Sequence, residues 1–469
     1  MTALAVAVVL MASLLLVHWS MRSEPLPALP LNVDGGLPLP EIGQISSVFS
    51  LTALFGAYFA IYLLLGIPAL AGLAVGTLIA LLLLRHWIVA RKKKSFEGYL
   101  ASIVTPSVVN GRLLALALAG TQCAYATSEL LILKDLAHVA LGIGTSTATF
   151  FAVATAIIGY FYVVRGGYMA LFRTDVIQFL FVAAMGTLAL IMLPASETHY
   201  RTHVIWASRP GYWIAPFAMP SWLLAIYHFA LAMVMSFAFI MTSPDAWKRV
   251  HLVTRVKANT RTRFPIFILA SALPFILLVV LGLRIEPIPD GRVSLSTLFD
   301  GTVSNEYLFL AIAVSLIGCF LSAFNSALLL SVHVTLVGQR RRNEQRPETP
   351  RFHALMAAAL MAIFLVFSGF AGFGNAYLLG NFLLGPYLSI AAVLLATGAK
   401  PDRLPNMAVP WLLVLGNVVW FLSFVKSHPD VNGASTFEVN SIPNSILLFV
   451  VILVAATLMK RWRGGNASA

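Results

Sequence analysis

The sequence predicts an all-α polytopic membrane protein with about thirteen transmembrane helices, and three observations lead there. Of 469 residues, 59% are hydrophobic and only 10% charged, against roughly 25% charged in soluble domains. Apolar runs of the ~20 residues that cross a bilayer as a helix recur along nearly the whole chain. Most of the basic residues fall in the loops on one side of those runs. A β-barrel is excluded, because its strands alternate apolar and polar residues over ~10-residue segments.

In chain order the predicted spans are 1–19, 46–65, 67–84, 113–133, 139–163, 174–193, 221–243, 264–283, 307–337, 354–372, 375–397, 407–425 and 442–459. Span 1 lacks the basic n-region and small-x-small cleavage site of a signal peptide, so it is expected to be retained. Spans 2 and 3 are separated by Gly66 and Pro68. Span 9 is longer than a bilayer needs, so it tilts or extends past the membrane. Between spans lie the Pro- and Gly-rich segment 20–45, the loops 194–220 and 284–306, and the basic connectors 85–112, 244–263 and 338–353. None is long enough to form a separate soluble domain.

Alternating the loops places 25 of the 31 Lys and Arg on one side, including Arg91, Lys92, Lys93, Lys94, Lys248, Arg249, Arg340, Arg341 and Arg463. Lys134, Arg201, Arg209, Arg284, Arg292 and Lys426 fall on the other. The positive-inside rule makes the richer side cytoplasmic, with the N-terminus outside and the C-terminus inside. The same rule accounts for the net charge of +13 without nucleic acid as a partner. The expected location is the plasma (inner) membrane, with the lipid bilayer as partner.

Cys123 and Cys319 both lie inside apolar runs and read as small buried residues. No zinc-ligand spacing, C-x-x-C or P-loop is present, and no nucleophile or acid–base set converges, so an enzyme is not expected. No organic cofactor is implied.

Two segments are more specific than hydropathy. Arg165-Gly166-Gly167-Tyr168-Met169-Ala170-Leu171-Phe172-Arg173-Thr174-Asp175-Val176-Ile177-Gln178 joins spans 5 and 6; its glycines permit a tight turn, and Thr174 and Asp175 are able to N-cap span 6. Ser243-Pro244-Asp245-Ala246-Trp247-Lys248-Arg249-Val250 follows span 7. The first segment resembles the G-G-x-x-A-V-x-x-T-D-x-x-Q motif of the sodium:solute symporter family, matching at Gly166, Gly167, Ala170, Thr174, Asp175 and Gln178. Lys248-Arg249 stands where that family has Q-R. Weaker likenesses are Leu65-Gly66-Ile67-Pro68 after span 2, Ser95 to Leu100 before span 4, and Leu321 to Leu329 in span 9.

The resemblance implies a LeuT-like fold of two inverted five-helix repeats, residues 46–193 and 221–397, with the first helix and linker (1–45) and two last helices (407–469) added. It implies cation-coupled secondary transport of a small organic solute by alternating access, with Na⁺ or H⁺ as coupling ion. A non-transporting membrane sensor or accessory protein is the alternative. Carried over by position, a cation site would draw carbonyls near Gly56 and Phe59, the Cys319 carbonyl and the Ser322 hydroxyl. Ala323 stands where many members have a second hydroxyl, so one Na⁺ ligand is missing. Asp175 is a cap or a second-ion residue. The family's use of spans 2, 7 and 11 nominates Tyr58, Tyr62, Ser236, Phe239, Asn381 and Tyr387 for the solute pocket.

Among polar residues within spans, Glu129 is expected near the outer interface, with a proton-relay role as the sharper alternative. His228 and His333 are expected to be packing residues. Spans 3 and 8 offer little beyond Thr77 and Ser271, which makes a sugar less expected than a compact acid or amino acid. Substrate and oligomeric state stay open.

Overall fold

The computed structural model describes residues 59–93, 96–140, 143–159, 221–255, 264–269, 271–272, 275–276, 306–339, 358–359, 361–362, 376–427 and 444–466. Spans 1 and 6, residues 46–58 of span 2 and the 165–178 motif lie outside them. The regular elements are α1 Phe59–Arg91, α2 Phe96–Val104 and α3 Val109–Ala140, then α4 Thr145–Gly159. They continue with α5 Ser221–Met241, α6 Pro244–Arg255, α7 Glu306–Gln339, α8 Ala376–Thr397, α9 Ala408–Ser427 and α10 Asn444–Asn466. The chain is all-helical in its described elements, as its hydropathy predicts.

Spans 2 and 3 meet within α1 at Gly66, whose φ of 79° and ψ of −168° interrupt the helix. That backbone region is essentially restricted to glycine, and Pro68, lacking an N–H, suits the first turn of the helix that restarts there. Span 7, by contrast, is one continuous helix, α5. No Gly or Pro occurs within it to free its backbone.

Short amphipathic helices cap one end of the bundle. In α2, Phe96, Tyr99, Leu100, Ile103 and Val104 recur at helical spacing and are buried, while Glu97 in the first turn complements the helix dipole. In α6, the Ser243 hydroxyl accepts the Ala246 N–H at 3.3 Å and Pro244 opens the helix, the arrangement of an N-cap followed by proline. Trp247 is fully buried and donates its indole N–H to the Met241 carbonyl at 2.9 Å, which fixes α6 against the end of α5.

The long helices pack in pairs: α1 against α5, α3 against α7 and α8, α8 against α10. Within lipid, helices gain little from hydrophobic burial against one another, so close backbone approach through small residues carries more of the association. Gly72 and Gly76 supply it in the α1–α5 seam. A Cβ at either position would collide with the backbone of Phe229 or Met233. The outer faces of α9 and α10 stay apolar and exposed, with Trp411, Val414, Leu415 and Leu422 on one and Leu447, Val451, Val454 and Leu458 on the other. These faces suit acyl chains.

Among the described residues, the basic segments around Arg91, Arg403 and Arg463 gather at one end of the bundle. Arg91 donates to the Gly398 and Ala399 carbonyls at 2.9 and 2.8 Å, and Lys460 to that of Ala396 at 3.0 Å. Arg463 donates to the Asp402 and Leu404 carbonyls. Asn110 holds the same turn from α3, donating to the Pro405 carbonyl at 2.8 Å and accepting the Val409 N–H at 3.4 Å. Arg91, read from sequence as an orientation signal, thus also caps the carbonyl end of α8, where positive charge complements the negative end of the helix dipole. Arg85 lies 4.5 Å from the Phe264 ring, bringing the start of span 8 to this basic end.

Candidate functional site

Of the long helices, α3 is the one through which polar residues run most densely. Among the described residues, its membrane-length stretch Val109–Asp135 is both less apolar and more buried than Gly66–Arg91, Trp222–Met241 and Ser445–Arg463. A helix that is polar and yet buried lies in the middle of the bundle. Thr121, Gln122, Thr127, Ser128 and Glu129 are all buried. Several hydroxyls turn back onto their own helix: Thr121 bonds the Leu118 carbonyl at 2.8 Å, Thr127 that of Cys123 at 3.0 Å and Ser128 that of Tyr125 at 2.7 Å. Such back-bonding satisfies a hydroxyl without a partner helix.

Three aromatic rings join α3, α5 and α8. Tyr125 lies 5.6 Å from Phe239, and Phe239 lies 5.6 Å from Tyr387, edge to face. The Tyr387 hydroxyl returns to α3, donating to the Thr121 carbonyl at 3.4 Å. The α3 and α5 backbones make little direct contact, and the two helices meet through the Tyr125 and Phe239 rings. Aromatic walls with a few hydroxyls and carbonyls are what a small-molecule site in a helix bundle is made from.

The structure therefore brings together two sequence-nominated residues, Phe239 and Tyr387, and adds Tyr125 and Thr121, which sequence reasoning missed. The polar run from Thr121 to Glu129 in an apolar span was the available signal. Ser236 takes a different neighbour: its hydroxyl meets Thr77 of α1 at 2.6 Å. Asn381 lies on α8, Phe59 and Tyr62 on α1 before the Gly66 break, and Cys319 and Ser322 on α7. Ala323 on α7 is buried. Gly56, Tyr58 and Asp175 lie outside the described residues. Among the described residues, no group of three His, Cys, Asp or Glu is arranged to hold a metal.

Glu129 departs from its expected place. Instead of reaching the outer interface it has no solvent exposure, and it lies within electrostatic reach of Tyr387. Toward the end of α3 away from the basic segments, charge is carried instead by Lys134 and Asp135, paired at 3.2 Å. Expected as packing residues, His228 and His333 are both buried.

At the basic end, Lys248 and Arg249 are also buried, at 2% and 1% exposure, so the pair is no lipid-facing orientation signal. Arg249 binds Asp245 at 2.6 Å. The Lys248 ammonium stands 5.8 Å from the Phe96 ring centre, and burial pushes it well below the ordinary lysine range, outweighing the opposing pull of Asp245. Phe96 also stacks on His333 at 6.2 Å and meets His251 at 6.0 Å. Tyr99 lies 6.0 Å from His251 and under Arg91, and burial raises its phenol above the ordinary tyrosine range. Helices α2, α6 and α7 are thus tied together by rings and cations.

By sequence, no family model and no curated protein matches the chain. By structure, it is similar to a Na⁺-coupled sialic acid symporter in a substrate-bound outward-open state, with a TM-score of 0.58, 16% identity and 98% of each chain covered. Weaker likenesses are to the nucleobase-cation-symport-1 family transporter Mhp1 (TM-score 0.43, 14% identity, covering 97% of this chain and 92% of that one) and to a manganese transporter of Eremococcus coleocola (TM-score 0.43, 12% identity, 92% and 97%). The fold is that of LeuT-like membrane transporters, the fold that the sequence resemblance implies.

Proposed function

We propose that this chain is a secondary active transporter that couples the movement of a cation, Na⁺ or H⁺, to symport of a small organic solute by alternating access. The observation that carries this reading is the aromatic bridge of Tyr125, Phe239 and Tyr387 that joins α3, α5 and α8, inside a transporter fold. A solute held against these rings contacts helices from both halves of the chain, so closing on it changes their relative position. A ligand drives such a change only through its differential affinity for the two states.

The motif at Gly166, Gly167, Ala170, Thr174, Asp175 and Gln178 supports placing the chain with the sodium:solute symporters. The cation site is then formed by carbonyls near Gly56 and Phe59, the Cys319 carbonyl and the Ser322 hydroxyl. The clustering of the basic loops at one end supports an inner-membrane orientation with that end in the cytoplasm, the N-terminus outside and the C-terminus inside. Ala323 and the unbroken α5 favour a second reading, a membrane sensor that binds solute without moving it.

Uptake into proteoliposomes under separately imposed Na⁺ and H⁺ gradients, with pooled amino acids and small organic acids as solutes, separates the two. Transport predicts gradient-driven accumulation of at least one solute, reduced by Phe239→Ala. Saturable binding with no accumulation under either gradient favours the sensor.

A further inference from the structure

The buried carboxyl of Glu129 has no part in the site described so far. On a helix, residues four apart lie nearly above one another, so Thr121, Tyr125 and Glu129 form one ridge of α3. Two members of that ridge make the aromatic site: Tyr125 faces Phe239, and the Thr121 carbonyl accepts the Tyr387 hydroxyl. Glu129 continues the same ridge one turn beyond Tyr125, and Tyr387 is within its electrostatic reach. It has no exposure to solvent. Ionisable groups inside a membrane bundle are costly to keep and mark pathways for ions or protons.

Resting on the transport reading above, we infer that Glu129 is the proton-binding group of this protein: it takes a proton from water when the bundle opens on one side and returns it to water when the bundle opens on the other. One O–H bond forms on uptake and the same bond breaks on release, so the net change is one proton moved and no other chemistry. Protonation removes a charge from the wall of the aromatic site, while the empty outward- or inward-open bundle hydrates and accepts it. Because Glu129 adjoins the rings that hold the solute, the charge state of one and the occupancy of the other are coupled.

The neighbouring elements carry other ionisable groups among the described residues. On α8 they are Tyr377 and Tyr387. On α7 they are Glu306, Tyr307, Cys319 and His333; by the antiparallel register that sets Gly338 on Ala115 and Cys123 beside Ser331, Cys319 lies farther out than Glu129 and His333 about two turns nearer the basic end. On α2 they are Glu97 and Tyr99, at the basic end itself. α9 has none from Ala408 to Trp420 but carries Lys426 near its far end, and on α5 Tyr227 and His228 lie about two turns farther out. On α3 the outer pair is Lys134 and Asp135, beyond the next turn, with Cys123 and Tyr125 on the inner side.

Infrared difference spectra of the reconstituted protein between about pH 5 and about pH 9 test this without any solute. Wild type is expected to lose a buried-carboxyl C=O band as pH rises, and Glu129→Gln to lack that band. A band that survives in Glu129→Gln overturns the assignment. Should Glu129→Gln fail to fold, Glu129→Asp replaces it: a shifted titration midpoint supports the proposal and an unmoved one overturns it. In proteoliposomes, Glu129→Gln is expected to lose accumulation driven by a proton gradient, down to the level without a gradient. Undiminished proton-driven accumulation in Glu129→Gln overturns the proposal. If wild type moves no solute at all, the transport reading fails, while the infrared result still decides whether Glu129 binds the proton.

Discussion

The hydroxyls of Thr77 and Ser236 meet at 2.6 Å in the buried seam between α1 and α5. Gly76, beside Thr77, lies against the Met233 backbone, so the close helix approach and the hydrogen bond occur at one level of the bundle. The pair joins a helix of the first half of the chain to one of the second.

The contact is expected to be worth what such bonds are worth in bilayers, about 0.6 kcal/mol and at most ~1.7. Thr77→Val and Ser236→Ala each lower stability by about that amount. The double variant falls short of the sum, because neighbours that share one interaction are not additive. Thermal unfolding of the four proteins in one detergent measures the coupling. A fully additive double variant would show that the two hydroxyls are satisfied elsewhere.

Close approach in the same seam makes a sharper prediction. Gly76→Ala places a Cβ against the Met233 carbonyl, and backbone yields less readily than a side chain. The cost is that of overpacking a well-filled core, about 1–3 kcal/mol. Gly144, which has open space around it, is the control: Gly144→Ala is expected to leave the unfolding temperature nearly unchanged. Equal effects at the two positions would refute the role given to Gly76.

Lys248 predicts a pH dependence. Its ammonium is disfavoured in the folded protein by burial, while the unfolded chain holds the proton up to about pH 10.4. Between the folded and unfolded values the unfolded state binds more protons, so stability rises with pH there. The destabilising contribution is full below the folded value and fades as pH climbs toward the ordinary lysine range. Wild type is therefore expected to gain on Lys248→Met as pH increases from about 7 to about 10. Parallel unfolding curves across that window would contradict a desolvated Lys248.

Much of this arrangement was legible before any coordinates. Spans 7, 9, 11 and 12 were placed within one or two residues of α5, α7, α8 and α9, because long apolar runs bounded by Pro, Gly and charge leave few alternatives. Gly66 and Pro68 marked the break in α1 for a local reason that sequence displays directly. Glu129 was harder. A carboxylate near Lys134 resembles an interface residue in one dimension, and only the packing of α3 between α7 and α8 puts it inside. The burial of Lys248 and Arg249 escaped for a related reason: positive charge in a connector looks the same whether it meets lipid headgroups or the ring of Phe96. Ser236 shows the limit at the site, since one helix turn decides whether a side chain faces Thr77 or Tyr387.

The remaining prediction concerns the coupling ion. Ala323 is buried on α7, one residue from Ser322, at the position where the family resemblance places a second hydroxyl for Na⁺. A methyl group there offers no oxygen. An unmet polar requirement in a dry site costs about 1–3 kcal/mol, which at ~1.4 kcal/mol per decade weakens affinity by roughly five- to more than a hundredfold. Na⁺ is therefore expected to protect the wild-type protein from thermal unfolding weakly or not at all, compared with K⁺ and choline. Ala323→Ser should strengthen that protection, and Ser322→Ala should abolish what remains of it. Because Ala323 is buried among close neighbours, Ser is a better substitution than Thr, whose extra methyl needs space. Tight Na⁺ protection in wild type that Ala323→Ser leaves unchanged would mean that another oxygen, a span 2 carbonyl or the Asp175 carboxylate, completes the site, and Na⁺ rather than the Glu129 proton would then be the first ion to pursue.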